Sequence, residues 1–113
     1  MHDHPTIENE AKTIIGQLFE ALPSTAAAFG QLAQATFTDG ALDIRTKEFI
    51  ALGIAVAQGC DGCMAWHNAA LVKLGVSRAA IAEAVGVAVE MGAGVAAYNA
   101  AKALTGFDQL NAR

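Results

Sequence analysis

Apolar residues recur along this chain at the spacing of an α-helix, and that period is the strongest constraint on its fold. Between positions 81 and 89 they fall at i, i+3, i+4, i+7 and i+8, which is one face of a helix. Strand-type alternation is scarce, and alanine, the best helix former, is abundant. The pattern predicts an all-α fold, a single-domain helical bundle of about six helices spanning residues 1–113.

Capping residues, prolines and glycines divide the chain into these six helices. The predicted N-terminal signals are Asp3 or His4 before Pro5, then Pro23, Asp43 and Ser77, and the predicted C-terminal stops are Gly59 and Gly75. The predicted bounds are about 5–20, 23–37, 44–58, 60–74, 78–91 and 95–104, followed by a polar tail. Gly92 and Gly94 are expected to interrupt or kink the chain between the last two helices.

The first two helices carry their own apolar stripes. The stripe of the first helix comprises Ile7, Ala11, Ile14, Ile15 and Leu18, and the inner face predicted for the second comprises Phe29, Leu32, Ala33 and Thr36. His2 and His4 precede these stripes and are expected to belong to a frayed terminus.

The composition is unusually apolar for a short chain. Hydrophobic residues make up 54% of it and charged residues only 16%, which excludes a disordered protein. Two cysteines are too few for a disulfide-stapled mini-domain. Because a chain of 113 residues buries only part of its surface on folding, we expect the apolar surplus to lie against other copies of the chain. A homo-oligomer is therefore predicted.

Charge and hydropathy limit the possible partners and location. The net charge is −4 and the basic residues are scattered, which disfavours nucleic-acid binding. The N-terminus lacks the features of a signal peptide, and the uncharged stretches 49–60 and 91–101 are too short to span a bilayer. We expect a cytoplasmic protein with no membrane partner. In that compartment a close cysteine pair is more often reactive or metal-binding than a permanent staple.

One cluster of residues points to chemistry. Cys60 and Cys63 form a CxxC motif, and His67 follows one turn later. On one helix these three positions lie on one face, so both sulfurs and the imidazole point the same way. The helix begins at the motif, and its free N–H groups and dipole favour a thiolate there. These are the elements of a redox dithiol: an activated sulfur, a resolving sulfur and a base.

Glu48 is the candidate partner for this cluster. It lies 12 residues before Cys60, at the head of an apolar line on the preceding helix. A carboxylate in that setting is expected to be partly buried and suited to proton transfer. Since the chain reverses at Gly59, side-by-side packing of the two helices would bring Glu48 and His67 together.

Metal binding is the main alternative chemistry. The C-x2-C-x3-H pattern offers three ligands, whereas structural zinc takes four, so Glu48 or a histidine of another subunit would have to complete the site. A c-type haem is excluded because no histidine directly follows the second cysteine. Ordinary structural roles for both cysteines, for His67 and for Glu48 also remain open at this point.

The spacing of these residues resembles a known family. Glu48, Cys60, Cys63 and His67 match the E-x11-C-x2-C-x3-H pattern of AhpD-like alkylhydroperoxidases, which belong to the carboxymuconolactone decarboxylase superfamily. The segment from about 42 to 104 is similar to the core repeat of that family. The resemblance implies an all-helical oligomer, commonly a trimer or hexamer, that reduces peroxides through a dithiol–disulfide cycle and requires no metal or organic cofactor.

The resemblance also implies a role for each residue. Cys63 attacks the peroxide and becomes a sulfenic acid, Cys60 donates a proton and resolves it, and Glu48 and His67 form the proton relay. The helix dipole alone favours Cys60 as the more acidic thiol. Where this family often has a second histidine, directly before the second cysteine, this chain has Gly62. The partners implied are a peroxide substrate and an external dithiol reductant. A lactone-processing or other non-redox role within the superfamily is the alternative function.

Overall fold

The computed structural model describes residues 3–113, and these residues form five helices. The helices are α1 (His4–Ala21), α2 (Pro23–Thr36), α3 (Ile44–Gln58), α4 (Asp61–Lys73) and α5 (Arg78–Asn111). Helices α3, α4 and α5 pack against one another, α1 lies on α4 and α5, and α2 packs along α1. The all-α prediction is confirmed.

The predicted capping residues act as the sequence indicated. The side chains of Asp3, Asp43 and Ser77 accept hydrogen bonds from backbone N–H groups in the first turns of α1, α3 and α5. The hydrogen bond from the Thr46 N–H holds the pKa of the exposed Asp43 carboxyl below its usual value. Gly59 ends α3 with a positive φ of 69°, which only glycine adopts without strain.

The predicted count of six helices is wrong because the last two are joined. Helix α5 runs through a kink at Ala93, whose φ of 55° and ψ of −135° are not helical. Ala93 lies between Gly92 and Gly94, the two glycines expected to kink the chain. The predicted polar tail is also wrong, since α5 continues to Asn111 and buries Phe107 and Leu110.

The hydrophobic core lies between α3, α4 and α5. Its largest fully buried side chains include Leu52, Met64, Leu71, Ile81 and Phe107. Each such side chain contributes roughly 1.5–3 kcal/mol by leaving water. This three-helix core holds the backbone on which the candidate site is built.

The inner face predicted for α2 is wrong, and most of the apolar stripe of α1 is also exposed. Leu18 is 50% exposed, Phe29 is 56% exposed and Leu32 is 64% exposed. Helix α1 instead buries His4 and Glu8, while α2 buries none of its residues. The physical reason is that α2 packs along α1 and leaves its apolar stripe facing away from the core.

By length and composition alone, α5 is the one helix among residues 3–113 that could cross a membrane, with a mean hydropathy of 1.5. That test is weak evidence, since the core helices of small helical proteins also pass it. Here α5 supplies core residues on one face, carries the exposed charges Glu83 and Glu90, and bends at Ala93.

Candidate active site

The two cysteines are joined by a disulfide at the start of α4. Cys60 is the N-cap residue of this helix, and its Sγ accepts a hydrogen bond from the Cys63 N–H at 3.2 Å. Cys63 is partly buried and packs against the hydrophobic core. The CxxC motif therefore opens a helix, as the sequence predicted, and its two sulfurs are close enough to bond.

The turn before the cysteines is fixed by α5. The Asn99 side chain donates a hydrogen bond from Nδ2 to the Val56 carbonyl at 3.1 Å, in the last turn of α3. The Cys60 N–H donates to the Ala55 carbonyl at 3.0 Å. Gly59 passes under Asn99 so closely that a Cβ there would be 3.1 Å from Nδ2. These contacts fix the position of the backbone that leads into Cys60.

Glu48 and His67 form a direct pair. Nδ1 of His67 lies 3.1 Å from Oε1 of Glu48, which joins α4 to α3. The Glu48 side chain is only 7% exposed and that of His67 is 20% exposed. An ionised carboxylate only accepts hydrogen bonds, so in this pairing Nδ1 is the donor. The pair is thus built as a base held in one tautomer by a carboxylate.

Phe37 contacts the ring of His67 and was not identified from the sequence. It directly follows α2, and its ring stacks on His67 with centroids 5.7 Å apart and planes inclined by 29°. No spacing in the sequence links a residue at the end of α2 with one in the middle of α4. The one local link is on α3: Lys47 holds the backbone on both sides of Phe37, and Lys47 is the chain neighbour of Glu48.

Helix α1 covers the middle of the CxxC motif. A Cβ on Gly62 would be in van der Waals contact with the Ala11 Cβ, at 3.9 Å. Gly62 thus faces a neighbouring helix. The other intervening residue, Asp61, pairs with Lys102 of α5 at 2.7 Å.

The expectation that His4 belongs to a frayed terminus is wrong, whereas His2 lies outside the described residues. His4 is 1% exposed, and its backbone N–H donates to Oε1 of Gln109 at 2.9 Å. Nδ2 of Asn68 lies 3.3 Å from Nδ1 of His4 and donates to the Ala103 carbonyl at 2.9 Å. These contacts anchor the start of α1 to α4 and α5.

An apolar groove of about 400 Å³ lies between the end of α2 and the outer face of α3. Its lining residues are Ala35, Thr36, Phe37, Lys47, Ile50, Ala51 and Ile54. Phe37 therefore borders both the groove and the His67 ring.

Across residues 3–113, no three or more His, Cys, Asp or Glu side chains are grouped so that they could hold a metal ion. The two sulfurs that the zinc hypothesis requires as ligands are bonded to each other. Glu48, the proposed fourth ligand, is hydrogen-bonded to His67. In this structure the four predicted site residues therefore form a disulfide and a carboxylate–imidazole pair rather than one set of metal ligands.

Comparison with known proteins adds independent information on this chain. It is 37% identical to an uncharacterized protein of Cupriavidus necator over 97% of both chains. It is also 37% identical to uncharacterized protein 4 of the cox locus of Paracoccus denitrificans, over 90% of this chain and 92% of that one.

The fold is matched equally well. The crystal structure of the apo form of a carboxymuconolactone decarboxylase family protein from Legionella pneumophila superposes with a TM-score of 0.92, at 39% identity and 96% coverage of both chains. The profile of the carboxymuconolactone decarboxylase family matches residues 23–106, which include all four predicted site residues. The chain belongs to the carboxymuconolactone decarboxylase family.

Proposed function

We propose that this protein is an antioxidant thiol peroxidase that reduces peroxides through the Cys60–Cys63 pair. One observation carries the proposal: a disulfide-forming CxxC opens the same helix that holds His67, and His67 is paired with the buried Glu48. A sulfur pair alone would serve many purposes. A sulfur pair with a carboxylate-held base one turn away is suited to redox chemistry that consumes and releases protons.

The first step oxidises Cys63. Its thiolate attacks one oxygen of the peroxide, an S–O bond forms and the O–O bond breaks. The sulfur becomes a sulfenic acid, and the departing alkoxide or hydroxide takes a proton to leave as an alcohol or water. His67 accepts the thiol proton through Nε2 and returns it to the leaving oxygen, while Glu48 stabilises the charged ring.

The second step forms the disulfide. The Cys60 thiolate attacks the sulfenic sulfur, the S–S bond forms, and the hydroxide that leaves is protonated to water. The N–H of Cys63 that points to the Cys60 sulfur favours its anionic form. An external dithiol then supplies two electrons and two protons by thiol–disulfide exchange and regenerates both thiols.

Stoichiometric oxidation tests this function. Reduced protein is mixed with one equivalent of hydrogen peroxide or cumene hydroperoxide, then free thiols are titrated and the intact mass is measured. We expect both thiols to be lost together with two hydrogens. Cys60→Ser should stop at the sulfenic acid, which a dimedone probe traps, and Cys63→Ser should lose its fast reaction. Thiols that stay reduced at modest peroxide excess would refute the proposal.

The same preparation separates the alternatives. Zinc that co-purifies at one ion per chain with reduced protein would favour the binding-module hypothesis. A Cys60→Ser, Cys63→Ser double variant that keeps full biological activity would favour a lactone-processing or other non-redox role in the family.

We also propose that the protein works as a homo-oligomer in the cytoplasm, with the external dithiol as its redox partner. Helix α2 buries none of its residues within the chain, yet a helix of 14 residues is marginal unless it packs on something. The partner that covers α2 is a second copy of this chain, because α3 and α5 also expose large apolar residues. A cytoplasmic thiol pool would supply the reducing equivalents.

A further inference from the structure

The His67 ring is held by two contacts of different kinds. Glu48 bonds the ring nitrogen Nδ1, and Phe37 stacks on one face of the ring. A single hydrogen bond leaves the ring free to rock about the line joining the two atoms. A flat neighbour on one face removes that freedom, because rocking would drive the imidazole edge into the phenyl ring.

Phe37 is itself held by Lys47. The Lys47 ammonium donates to the carbonyl of Thr36 at 2.9 Å and to that of Thr38 at 2.7 Å. These two carbonyls flank Phe37 on either side. Bonds from a charged donor are stronger than neutral ones, so this clamp fixes the backbone from which the phenyl ring projects.

Two consecutive residues of α3 therefore act on the same imidazole. Glu48 faces inward and holds it by hydrogen bonding, and Lys47 secures the segment that stacks on it. We infer that Phe37 and Lys47 are positioning residues for His67, which keep the ring in the Nδ1–H tautomer paired with Glu48 and leave Nε2 available for proton transfer. The kinetic consequence rests on the proposed peroxidase function, whereas the structural consequence does not.

Nitrogen-15 NMR of the imidazole tests the structural part directly, because it distinguishes the two tautomers. Reduced wild-type protein should show a single Nδ1–H tautomer for His67, assigned by its loss in His67→Gln. Phe37→Leu should show a mixture of tautomers, and Phe37→Tyr, which keeps a flat ring, should restore the wild-type spectrum. Phe19→Leu is the matched control, because Phe19 pairs with Phe29 at 5.7 Å and not with His67.

Lys47 is tested in the same way. Lys47→Met removes the donors while keeping the length of the side chain, and it should also produce mixed tautomers. Lys47→Arg keeps a charged donor and should stay closer to wild type. A wild-type tautomer pattern in Phe37→Leu would overturn the role of Phe37, and the same result in Lys47→Met would overturn that of Lys47.

The rate of thiol oxidation gives the second readout. Phe37→Leu should slow disulfide formation by about tenfold at saturating peroxide, since misplacing a catalytic group lowers the rate of the chemical step. Phe37→Tyr and Phe19→Leu should react like the wild type. A wild-type protein that does not react with peroxide would refute the proposed function, while the tautomer spectra would still decide the positioning role. Equal slowing by Phe37→Leu and Phe19→Leu would contradict the positioning role of Phe37.

Discussion

The imidazole of His4 occupies the space that a side chain on Gly106 would need. A Cβ built on Gly106 overlaps the His4 ring atoms, so this position of α5 has room only for hydrogen. The contact joins the first turn of α1 to the C-terminal part of α5, a segment for which the sequence predicts a polar tail. Since α1 also covers Gly62 through Ala11, the seating of His4 determines how α1 lies over the CxxC motif.

Gly106→Ala should therefore destabilise the protein although it inserts a better helix former. Overpacking of this kind costs about 1–3 kcal/mol, which urea unfolding measures. Gly86→Ala is the matched control in the same helix, because nothing lies within 4 Å of its added Cβ. It should be neutral or stabilising by up to about 1 kcal/mol. Equal stability of the two variants would contradict the His4 contact, and His4→Ala should reduce the cost of Gly106→Ala.

The buried His4 also predicts that stability depends on pH. Burial lowers the pKa of His4 from its ordinary value of 6.5, with a smaller lowering by Lys102 and opposing effects of Asp61 and Asp3. The unfolded chain then takes up a proton at higher pH than the folded chain does. The stability that neutral His4 provides is complete above pH 6.5 and is lost as the pH falls below 6.5 toward the folded-state value.

Urea unfolding between about pH 7.5 and pH 5 checks this window. We expect wild-type stability to fall across it and His4→Gln, which has no titrating ring, to show a flatter dependence. Glu8 acts separately: burial raises its pKa, but the ion pairs with Lys12 and Arg113 outweigh burial and hold it below 4.5. Its contribution is lost only below pH 4.5, so the two effects are distinguishable. If the unfolding free energies of wild type and His4→Gln changed equally with pH, His4 would not be the group responsible for the pH dependence.

Capping chemistry and residue spacing made much of this structure predictable. Asp43, Gly59 and the CxxC act within a few residues of their own position, so local sequence was sufficient to place α3 and the start of α4. The reversal at Gly59 allowed a contact between Glu48 and His67, but only the packing of α3 against α4 establishes it. Helical periodicity does not specify what a stripe packs against, which is why the inner face of α2 was predicted wrongly.

Contacts between residues distant in sequence were out of reach. His4 meets Asn68 across 64 residues, and neither carries a signal that identifies the other. Phe37 reaches His67 from the segment between α2 and α3, whose path depends on the Lys47 clamp. Such contacts arise from the packing of whole helices rather than from any local pattern.

Gly59 and Gly75 allow backbone strain to be separated from crowding. Both have positive φ, 69° and 72°, but a Cβ on Gly59 would lie 3.1 Å from Nδ2 of Asn99, whereas nothing lies near Gly75. Alanine at either position pays the cost of the left-handed conformation, about 1–2 kcal/mol. Gly59→Ala should cost more than Gly75→Ala, because Asn99 must also move. Equal losses of unfolding free energy would show that the Asn99 contact is unimportant.

Glu48→Gln should slow thiol oxidation without preventing folding. The amide keeps the shape of the carboxylate but cannot stabilise a charged imidazole, so the rate should fall on the order of 100-fold. His67→Gln should show a similar loss, and the double variant should be little slower than either single one, since the two residues act as a unit. Glu83→Gln, at an exposed position of α5, is the control and should react like wild type. A loss of less than twofold in Glu48→Gln would remove Glu48 from the mechanism.

The exposed stripe of α2 predicts that the isolated protein is an oligomer. Phe29 and Leu32 are more than half exposed, and α2 has no buried residue of its own. Introducing charge into a surface that is buried between copies costs several kcal/mol, because no partner compensates the lost hydration. The double variant Phe29→Glu, Leu32→Glu should therefore sediment as a smaller species than the wild type. Gln31→Glu, Gln34→Glu adds the same charge at exposed polar positions of the same helix and should keep the wild-type size. A wild-type protein that sediments as a monomer at micromolar concentration would contradict the prediction, because the apolar stripe of α2 would then face water.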